Sequence, residues 1–358
     1  MSSVYVSVII PFYNEECVLS KCIESVLQQK FNDYEIVAVN DASTDNSNCL
    51  INEYSTKDRR IAVVEHEHNQ GLGEARNTGI RHSKGKYIFF LDADDWIPTD
   101  ALDVLCNIAR CTNDDIIIGG TQSEMQVDNK FVLCEIRRTT LRNYPALLYN
   151  HNAWNKLIRR QFLLDNDLFF EPPRFAEDIL FSVRSNLLAN SISITRKTTY
   201  FYKWSRQVVN VTKPKITDAQ RNVIRAYTVI ENCGDPLLIQ EMREKTARNA
   251  YQSMTRATRA FNKSELQEHL IRWQPALDKM PRSVLESIPK RQRVFCELII
   301  NNKVEQAIDY WRGRKRLSVI MNIMTRIAPA FVFPVLKQIN STAGKFISMV
   351  LFKKQHRP

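Results

Sequence analysis

Two groups of acidic residues in this chain have the types and the spacing that chemistry on a phosphorylated ligand would need. Asp92 and Asp94 directly follow an aromatic and β-branched run that is typical of a buried strand. Two carboxylates at the end of such a strand can hold a hard divalent cation through oxygen and present it to a phosphate. Glu177 and Asp178 begin a second segment, whose apolar residues recur at helical spacing. A carboxylate there, separate from the first group, can act as a general base.

Both groups also have a purely structural explanation. An isolated D-x-D is often no more than a solvated turn at the end of a strand. Acids in the first turn of a helix are stabilised by the helix dipole. The surrounding sequence favours the chemical interpretation, because a strand that ends in an acid occurs again at Asp41.

The elements that position these acids alternate regularly. Apolar strand candidates at residues 6–10, 34–40, 61–65 and 85–91 are separated by stretches of helical periodicity, so that β-α-β-α-β-α-β fills about the first 95 residues. This alternation predicts an α/β fold with a mainly parallel sheet flanked by helices. The carboxyl ends of parallel strands meet at one edge, which is where open α/β sheets bind their ligands.

Two common nucleotide-binding motifs are absent. A dinucleotide fold would place G-x-G-x-x-G in the first strand-to-helix turn, but that turn runs from Pro11 to Glu15 without a glycine. No G-x-x-x-x-G-K-[ST] loop occurs in the sequence either. A nucleotide at this edge would therefore be held by other means than a glycine-rich phosphate loop.

Four blocks of the sequence resemble glycosyltransferase family 2. They read V-S-V-I-I-P-F-Y-N-E, V-N-D-A-S-T-D-N-S, N-Q-G-L-G-E-A-R-N-T-G and G-K-Y-I-F-F-L-D-A-D-D, and they occur in the family's order and spacing. Together with the later E-D pair, the resemblance covers about residues 4–205. It implies the GT-A fold, a nucleotide-diphosphate sugar as donor, and transfer with inversion at the anomeric carbon.

The resemblance assigns one group of residues to the nucleotide sugar: Pro11, Phe12, Tyr13, Glu15, Asp41, Arg76, Asp92 and Ala93. Those of the first turn match residues that line a uridine pocket, and Asp41 matches an acid that hydrogen-bonds the base. A carboxylate suits that role because uracil offers an imide N–H. Arg76 matches a basic residue near the nucleotide, where a fixed cation suits a diphosphate. An exposed charge at a helix start is the alternative for Glu15 and Arg76.

The resemblance also divides the acids between metal binding and proton transfer. Asp94 matches the direct ligand of a Mn²⁺ or Mg²⁺ ion, and Asp92 matches the first acid of the D-x-D, near the ribose and the metal. Such an ion stabilises the negative charge that grows on a leaving diphosphate. Asp178 matches the catalytic base, and Glu177 would orient it or contact acceptor hydroxyls.

A W-N-K-L segment between the two acidic groups offers candidate acceptor contacts at Trp154 and Lys156. Many bacterial members of the family carry a similar segment, and the face of a Trp ring is a common platform for a sugar. A position in the hydrophobic core is an equally good interpretation of Trp154.

The chain is long enough for a catalytic core and a second region, with 358 residues of which 44% are hydrophobic. We predict a GT-A domain at residues 1–208, with a nucleotide-sugar half at 1–112 and an acceptor half at 113–208. Residues 209–310 are mixed polar and helix-forming, which predicts a helical accessory region. Residues 311–358 form a basic tail.

This tail carries nearly all of the net charge of +11, because its ten Lys and Arg residues are accompanied by no Asp or Glu. The cations alternate with aliphatic and aromatic residues, a pattern typical of an amphipathic element on an anionic membrane surface. Arg326, Pro329 and Pro334 interrupt the most apolar window, which argues against a spanning helix. A helical cap or oligomer contact is the main alternative, and nucleic acid is not the expected partner.

Taken together with these patterns, the resemblance implies a metal-dependent inverting glycosyltransferase that uses a UDP-sugar and extends a cell-surface glycan such as O-antigen, capsule or lipopolysaccharide core. No secretory leader precedes the first strand and the eight cysteines form no C-x-x-C pair, so we expect a cytoplasmic protein, peripheral on the inner face of the plasma membrane. Two alternatives are a sugar-nucleotide pyrophosphorylase, whose G-x-G-T-R opening is absent, and an inactive glycan-binding protein on the same fold.

Overall fold

The computed structural model describes residues 4–123, 136–203 and 212–313. Its strands are β1 Val6–Phe12, β2 Tyr34–Asn40, β3 Ile61–Glu65, β4 Tyr87–Phe90, β5 Ile116–Ser123, β6 Ile136–Thr139, β7 Lys156–Arg159 and β8 Ile192–Tyr202. Its α-helices are α1 Leu19–Leu27, α2 Ser47–Lys57, α3 Leu72–His82, α4 Ala101–Thr112, α5 Arg160–Asp165, α6 Glu177–Leu188, α7 Lys213–Asn232, α8 Pro236–Ala260, α9 Lys263–Ile271, α10 Gln274–Leu277, α11 Arg282–Ser287 and α12 Lys290–Ile300. A 3-10 helix spans Pro145–Tyr149, and residues 304–313 are also helical.

In the described residues the strands form one mixed sheet, in the order β3-β2-β1-β4-β7-β5-β8-β6. The first four strands pair in parallel, as the alternation of strands and helices predicts. β7 is antiparallel to both of its neighbours, β4 and β5, and β6 is antiparallel to β8. The second half of the sheet is therefore mixed, whereas the sequence predicts a mainly parallel sheet. β7 comes from a later part of the chain, and it lies between β4 and β5 in the sheet.

Both faces of the sheet are covered. Every residue of β1 is buried. Val8 and Ile10 belong to one hydrophobic cluster with Ile23 of α1, whereas Ile9 belongs to another with Phe181 of α6. The alternation arises because successive side chains of a strand point to opposite faces. Burial on both faces is typical of parallel strands that lie between helices.

Backbone hydrogen bonds bring the segments beyond β1, β2 and β4 to the same edge of the sheet. The N–H of Asp41, just after β2, donates to the carbonyl of Phe12 at 2.9 Å. The N–H of Leu91, just after β4, donates to the carbonyl of Ile9 at 3.0 Å. The acids that follow β2 and β4 therefore lie on either side of the end of β1.

From α7 onward the described chain is helical, as predicted, and it has a hydrophobic cluster of its own that includes Trp273, Phe295 and Trp311. In the part of the chain that the structure covers, no helix is both long and apolar enough to cross a membrane. The predicted boundary at residues 208–209 and nearly all of the predicted tail lie outside the described residues, so the division into domains stays a prediction.

Candidate active site

Asp92 and Asp94 lie directly beyond the buried strand β4, with the buried Ala93 between them. Both acidic side chains are half-buried, and Arg76 donates to Oδ1 of Asp92 at 2.7 Å. Burial and the neighbouring charge of Asp92 raise the pKa of Asp94 above its ordinary value. A bound cation would relieve this unfavourable charge, so the surroundings of the D-x-D suit one.

Asp95, the third acid in this run, has a structural role that the sequence does not single out. Its side chain is buried, its Oδ1 accepts the N–H of Lys203 at 2.7 Å, and its Oδ2 accepts the hydroxyl of Tyr200 at 2.7 Å. The same Tyr200 oxygen accepts the N–H of Asp92. Burial raises the pKa of Asp95 to about 7. Through these hydrogen bonds Asp95 holds the D-x-D segment against β8.

The turn after β1 exposes one ring. Pro11 and Phe12 end β1 and are buried, whereas the side chain of Tyr13 is 44% exposed. Tyr13 is thus the aromatic ring of this turn that a ligand can reach. Glu15 is half-buried, and burial together with the charge of Asp94 raises the pKa of its carboxyl. The turn after β1 therefore lies next to the D-x-D, and the assignment of these four residues to a nucleotide stays a prediction.

Hydrogen bonds join the loop after β1 to the loop after β2. The N–H of Thr44 donates to Oδ1 of Asn14 at 2.7 Å, and the N–H of Glu15 donates to Oγ of Ser47 at 2.8 Å. Asn14 has a φ of +57°, a conformation that Asn adopts more readily than most residues. The two loops therefore form one wall at the edge of the sheet.

Asp41 lies buried at the end of β2 with both carboxylate oxygens engaged. Oδ1 accepts from Nδ1 of His66 and the N–H of Gln70, each at 2.8 Å, and Oδ2 accepts the N–H of Gly71 at 2.8 Å. Nε2 of His66 in turn lies 2.9 Å from Oγ1 of Thr78. Each carboxylate oxygen has about two acceptor positions, so Oδ2 retains one for a further donor. These bonds leave Asp41 able to contact a base, and that contact stays a prediction.

Arg76 of α3 joins the two acidic groups instead of standing exposed at a helix start. It is buried, with Nη2 2.7 Å from Asp92 and Nη1 3.2 Å from Oε1 of Glu177. Burial lowers the pKa of Arg76, but the two carboxylates outweigh burial and raise the pKa above its ordinary value. The guanidinium is therefore a permanent cation between the groups, and its predicted contact with a diphosphate is untested.

Glu177 and Asp178 form the first turn of α6, as the sequence predicts. Glu177 is buried, and burial raises its pKa to about 7, with Asp178 adding to the rise and Arg76 opposing it. Asp178 is half-buried, and burial raises its pKa, while the cations Arg76 and Lys156 oppose the rise and Asp92 adds to it. The charge on Asp178 therefore depends on groups from three other elements.

Gly73 explains how α3 comes close to α6. A Cβ at this position would stand 3.0 Å from Cγ of Glu177 and 3.2 Å from Cβ of Phe170, which is tighter than ordinary packing. Gly71 directly precedes α3, whereas Gly73 lies in its first turn, and the lack of a side chain at Gly73 permits this contact between the helices.

Trp154 and Lys156, the predicted acceptor contacts, differ in accessibility. Trp154 is half-buried, and its ring stacks on Tyr200 and Tyr202 with centroids 4.6 and 5.4 Å away. Lys156 is 1% exposed, donates from Nζ to the carbonyl of Asn152, and has its pKa lowered by burial to about 7. A ligand could meet the Trp154 stack at its exposed Tyr202 end, whereas Lys156 lies beneath the surface.

The described residues contain no group of three or more His, Cys, Asp and Glu side chains arranged to hold a metal ion. Mg²⁺-like ions, however, are commonly held by one or two carboxylates together with phosphate oxygens and water. Asp94 and the second oxygen of Asp92 fit this arrangement, because Arg76 occupies only Oδ1 of Asp92.

The sequence and the fold are similar to those of known sugar transferases. The family model "Glycosyl transferase family 2" matches residues 7–176. The putative glycosyltransferase EpsH of Bacillus subtilis is 33% identical over 215 residues, which are 57% of this chain and 62% of the relative. A poly(ribitol-phosphate) beta-glucosyltransferase of Bacillus spizizenii is 32% identical over 206 residues, 55% of this chain and 32% of the relative. The chain thus matches less than two thirds of either relative's length.

Among solved structures, TarS 1–349 of S. aureus in complex with UDP-GlcNAc has a TM-score of 0.74 at 22% identity, covering 87% of this chain and 92% of that chain. At this identity the likeness establishes the fold, and the predicted GT-A arrangement followed by helices is confirmed. The family match contains Asp41, Arg76, Asp92 and Asp94 and ends just before Glu177. Residues 7–176 of this chain are therefore similar to glycosyl transferase family 2.

Proposed function

We propose that the chain is a metal-dependent inverting glycosyltransferase, which moves a sugar from a UDP-sugar to a hydroxyl of a growing cell-surface glycan. The observation that carries the proposal is the pair of acidic groups around one buried cation, with Arg76 between Asp92 and Glu177. Glycosyl transfer needs charge neutralisation at the leaving diphosphate and a proton acceptor at the incoming hydroxyl. The two acidic groups would meet these two needs separately.

The nucleotide would bind against the joined loops after β1 and β2. Tyr13 offers an exposed ring there, and Oδ2 of Asp41 retains an acceptor position for the imide N–H of uracil. Three donors hold the Asp41 carboxylate in place, so the contact would be preorganised. The UDP-GlcNAc bound in the TarS structure supports the same nucleotide for this chain.

Asp94 and the second oxygen of Asp92 would hold Mn²⁺ or Mg²⁺, with the donor's phosphate oxygens completing the coordination. When bound, such an ion acts as a Lewis acid that stabilises charge on the leaving diphosphate. Glu15 adds to the negative potential that favours the ion, since, besides burial, the charge of Asp94 contributes to the raised pKa of Glu15. Arg76 binds Asp92 and Glu177 through its two Nη groups, so it would hold these acids in place beside the ion.

Asp178 would accept the proton of the attacking hydroxyl. Burial raises its pKa, which makes it a stronger base, while Arg76 and Lys156 favour its ionised form. Glu177 is held by Arg76 and would keep α6 in register with α3. A hydroxyl that is activated on the side away from the diphosphate would displace it with inversion.

The acceptor would be a polymer at the cell surface, such as O-antigen, capsule or lipopolysaccharide core. Support comes from the relative named for transfer to poly(ribitol-phosphate). The stack of Trp154 on Tyr202 would provide a platform for an acceptor sugar. The basic and apolar residues 311–358 suit an anionic surface, so we infer a peripheral position on the cytoplasmic face of the membrane.

The direct test is donor hydrolysis by the purified full chain, with a panel of UDP-sugars and with GDP-sugars for comparison. We expect one or a few UDP-sugars to be hydrolysed with Mn²⁺ or Mg²⁺ and none after chelation. UDP should also raise the melting temperature in the presence of metal. A folded chain that neither binds UDP nor turns over any sugar nucleotide would instead be a binding protein on this fold.

A further inference from the structure

The segment that leads into the predicted base determines where α6 begins. Residues 171–176, which we call the strap, end at Ala176, whose φ is +56°. Glu177 and Asp178 follow as the first residues of α6. The path of the strap therefore fixes the start of α6 and, with it, the position of the Asp178 carboxyl.

Helix α7 contacts the strap through two polar side chains, one buried and one partly exposed. Nδ2 of Asn222 donates to the carbonyl of Phe175 at 2.9 Å and to that of Pro173 at 3.3 Å, and Asn222 is 0% exposed. Near one turn further along α7, Arg225 donates to the carbonyl of Pro172. The strap thus receives hydrogen bonds on three of its carbonyls from a helix that begins well after the family match has ended.

On its other side the strap contacts the loop before α3. Arg174 donates to the carbonyls of Asn69 and Gln70, at 2.6 and 3.0 Å. Asp41 binds the same loop through the N–H groups of Gln70 and Gly71. The strap is therefore held between the nucleotide side of the site and α7, and Arg184 of α6 also binds it through Glu171.

We propose that Asn222 is a positioning residue for Asp178, so that α7 is part of the active site although it belongs to the C-terminal helical region. The inference rests on the role of Asp178 as the base in the proposed function. Asn222 acts through the strap carbonyls and not on the carboxyl itself. A displacement of about 1 Å in a catalytic group can cost about 10²-fold in rate.

The test compares two buried amides on α7. Asn222→Leu removes the donor to the strap at nearly constant volume. Gln220→Met is the matched control, because Gln220 is equally buried and its Nε2 donates to the carbonyl of His269, within the helical region. In the described residues the amide oxygens of both Asn222 and Gln220 have no hydrogen-bond partner, so both variants lose the same kinds of group.

Turnover of the full chain is then measured with saturating metal. We expect Asn222→Leu to lower kcat by about 10-fold or more with donor KM unchanged, and Gln220→Met to keep both constants. An equal loss of kcat in the two variants would reduce Asn222 to a role in stability and overturn the proposal. Wild-type kcat in a folded Asn222→Leu variant would overturn it as well.

A second pair of variants covers the case in which Asn222→Leu does not fold. Arg225→Met removes an anchor of the strap at a partly exposed position, and Arg221→Met removes a pair with Asp218 on the same helix. We expect a lower kcat at unchanged donor KM for Arg225→Met only. Wild-type kcat for Arg225→Met would contradict anchoring by α7.

Amide hydrogen exchange of residues 171–180 tests the inference without reference to activity. Exchange should be faster in Asn222→Leu and as in the wild type in Gln220→Met. If the wild type turned over no sugar nucleotide, the proposed function would fail while this difference still supported anchoring of the strap. Unchanged exchange in Asn222→Leu would overturn the inference even if the wild type were a fully active transferase.

Discussion

Arg76 and Glu177 are 101 residues apart in the chain, yet their side chains form a buried ion pair with 3.2 Å between Nη1 and Oε1. The other Nη group of the same guanidinium reaches Asp92 at 2.7 Å. Helix α3 therefore connects the acids after β4 with the acids that begin α6. Because Arg76 contacts both acidic groups, the role of each group is tested by measuring donor binding and turnover separately.

Asp94→Asn should abolish turnover and strongly weaken metal-dependent binding of the donor, because Asn keeps the shape of the side chain but not the charge that holds a cation. Calorimetric titration of UDP with and without Mn²⁺ measures the effect. Asp95→Asn is the contrasting variant: it weakens the contacts with Lys203 and Tyr200, so it should lower the free energy of unfolding while metal-dependent binding of the donor is retained. Turnover at the wild-type rate in Asp94→Asn, or full activity in EDTA, would refute metal binding at Asp94.

Asp178→Asn should bind the UDP-sugar and metal nearly as well as the wild type but transfer sugar at least about 10²-fold more slowly, which is the scale of a lost general base. The measurement is donor affinity alongside single-turnover rate. If donor affinity falls together with the rate, Asp178 belongs to the nucleotide site and another group takes the proton.

His66→Leu should weaken UDP binding by about 5-fold while kcat at saturating donor changes little, because the ring fixes the Asp41 carboxylate and lost polar contacts of this kind are worth about 1 kcal/mol. His68→Leu is the control, since His68 is exposed in the neighbouring loop. If both variants bind UDP with the same affinity, either Asp41 does not contact the base or His66 does not position Asp41.

Lys245 of α8 links protein stability to pH. It is buried, its ammonium group contacts His151 and the carbonyl of Leu148, and burial lowers its pKa from 10.5 to about 7. Between these two values the unfolded chain binds more protons at Lys245 than the folded chain does, so stability rises with pH through this window and is lost as pH falls towards 7. Lys245→Met should remove about 1 kcal/mol per pH unit from this rise.

Urea denaturation at pH 7, 8 and 9 measures this slope. Lys156, whose pKa burial also lowers to about 7, contributes a slope of the same sign, so the variant should retain part of the wild-type rise. The same substitution at the exposed Lys303 should leave the slope unchanged. Identical slopes for wild type and Lys245→Met would mean that Lys245 stays protonated in the folded chain.

Deletion of residues 314–358 should release the protein from anionic vesicles and leave donor hydrolysis mostly intact, because nearly all of the tail's cations are removed while the acids of the site remain. Binding of the full chain should weaken with added salt. The cut is placed after Gly313 because Trp311 is buried in the helical cluster. A full chain that ignores anionic vesicles at low salt, or a shortened chain that unfolds, would contradict the membrane proposal.

The sequence predicts the first half of the fold well because its signals are local. β1 through β4 are continuous apolar runs, and each is followed by a stretch of helical period, so their parallel pairing follows from the alternation. The positions of Asp41, Asp92 and Asp94 follow in turn, since each comes just after such a run. Glu177 is also recognised from a local signal, because the residues that follow it have the apolar spacing of a helix.

The remaining features depend on which distant segments meet, and no local pattern encodes that. Asp95 has the same chemistry as Asp94 and is its neighbour, but its partners Tyr200 and Lys203 are 105 and 108 residues away. Lys156 reads as a surface cation, whereas the sheet buries it at the start of β7. Asn222 carries no motif at all, and only its contact with the strap distinguishes it.

The position of β7 between β4 and β5 affects how the chain folds during synthesis. β4 ends at Phe90 and places Phe89 opposite Leu157, but β7 begins only at Lys156. During synthesis β4 therefore emerges from the ribosome long before its second partner exists, with an apolar strand edge exposed to other nascent chains. Slow translation at low temperature would lengthen this exposed stage, whereas a chaperone that shields strand edges would protect it. The yield of folded protein should therefore depend on chaperone supply as well as on the stability of the finished protein.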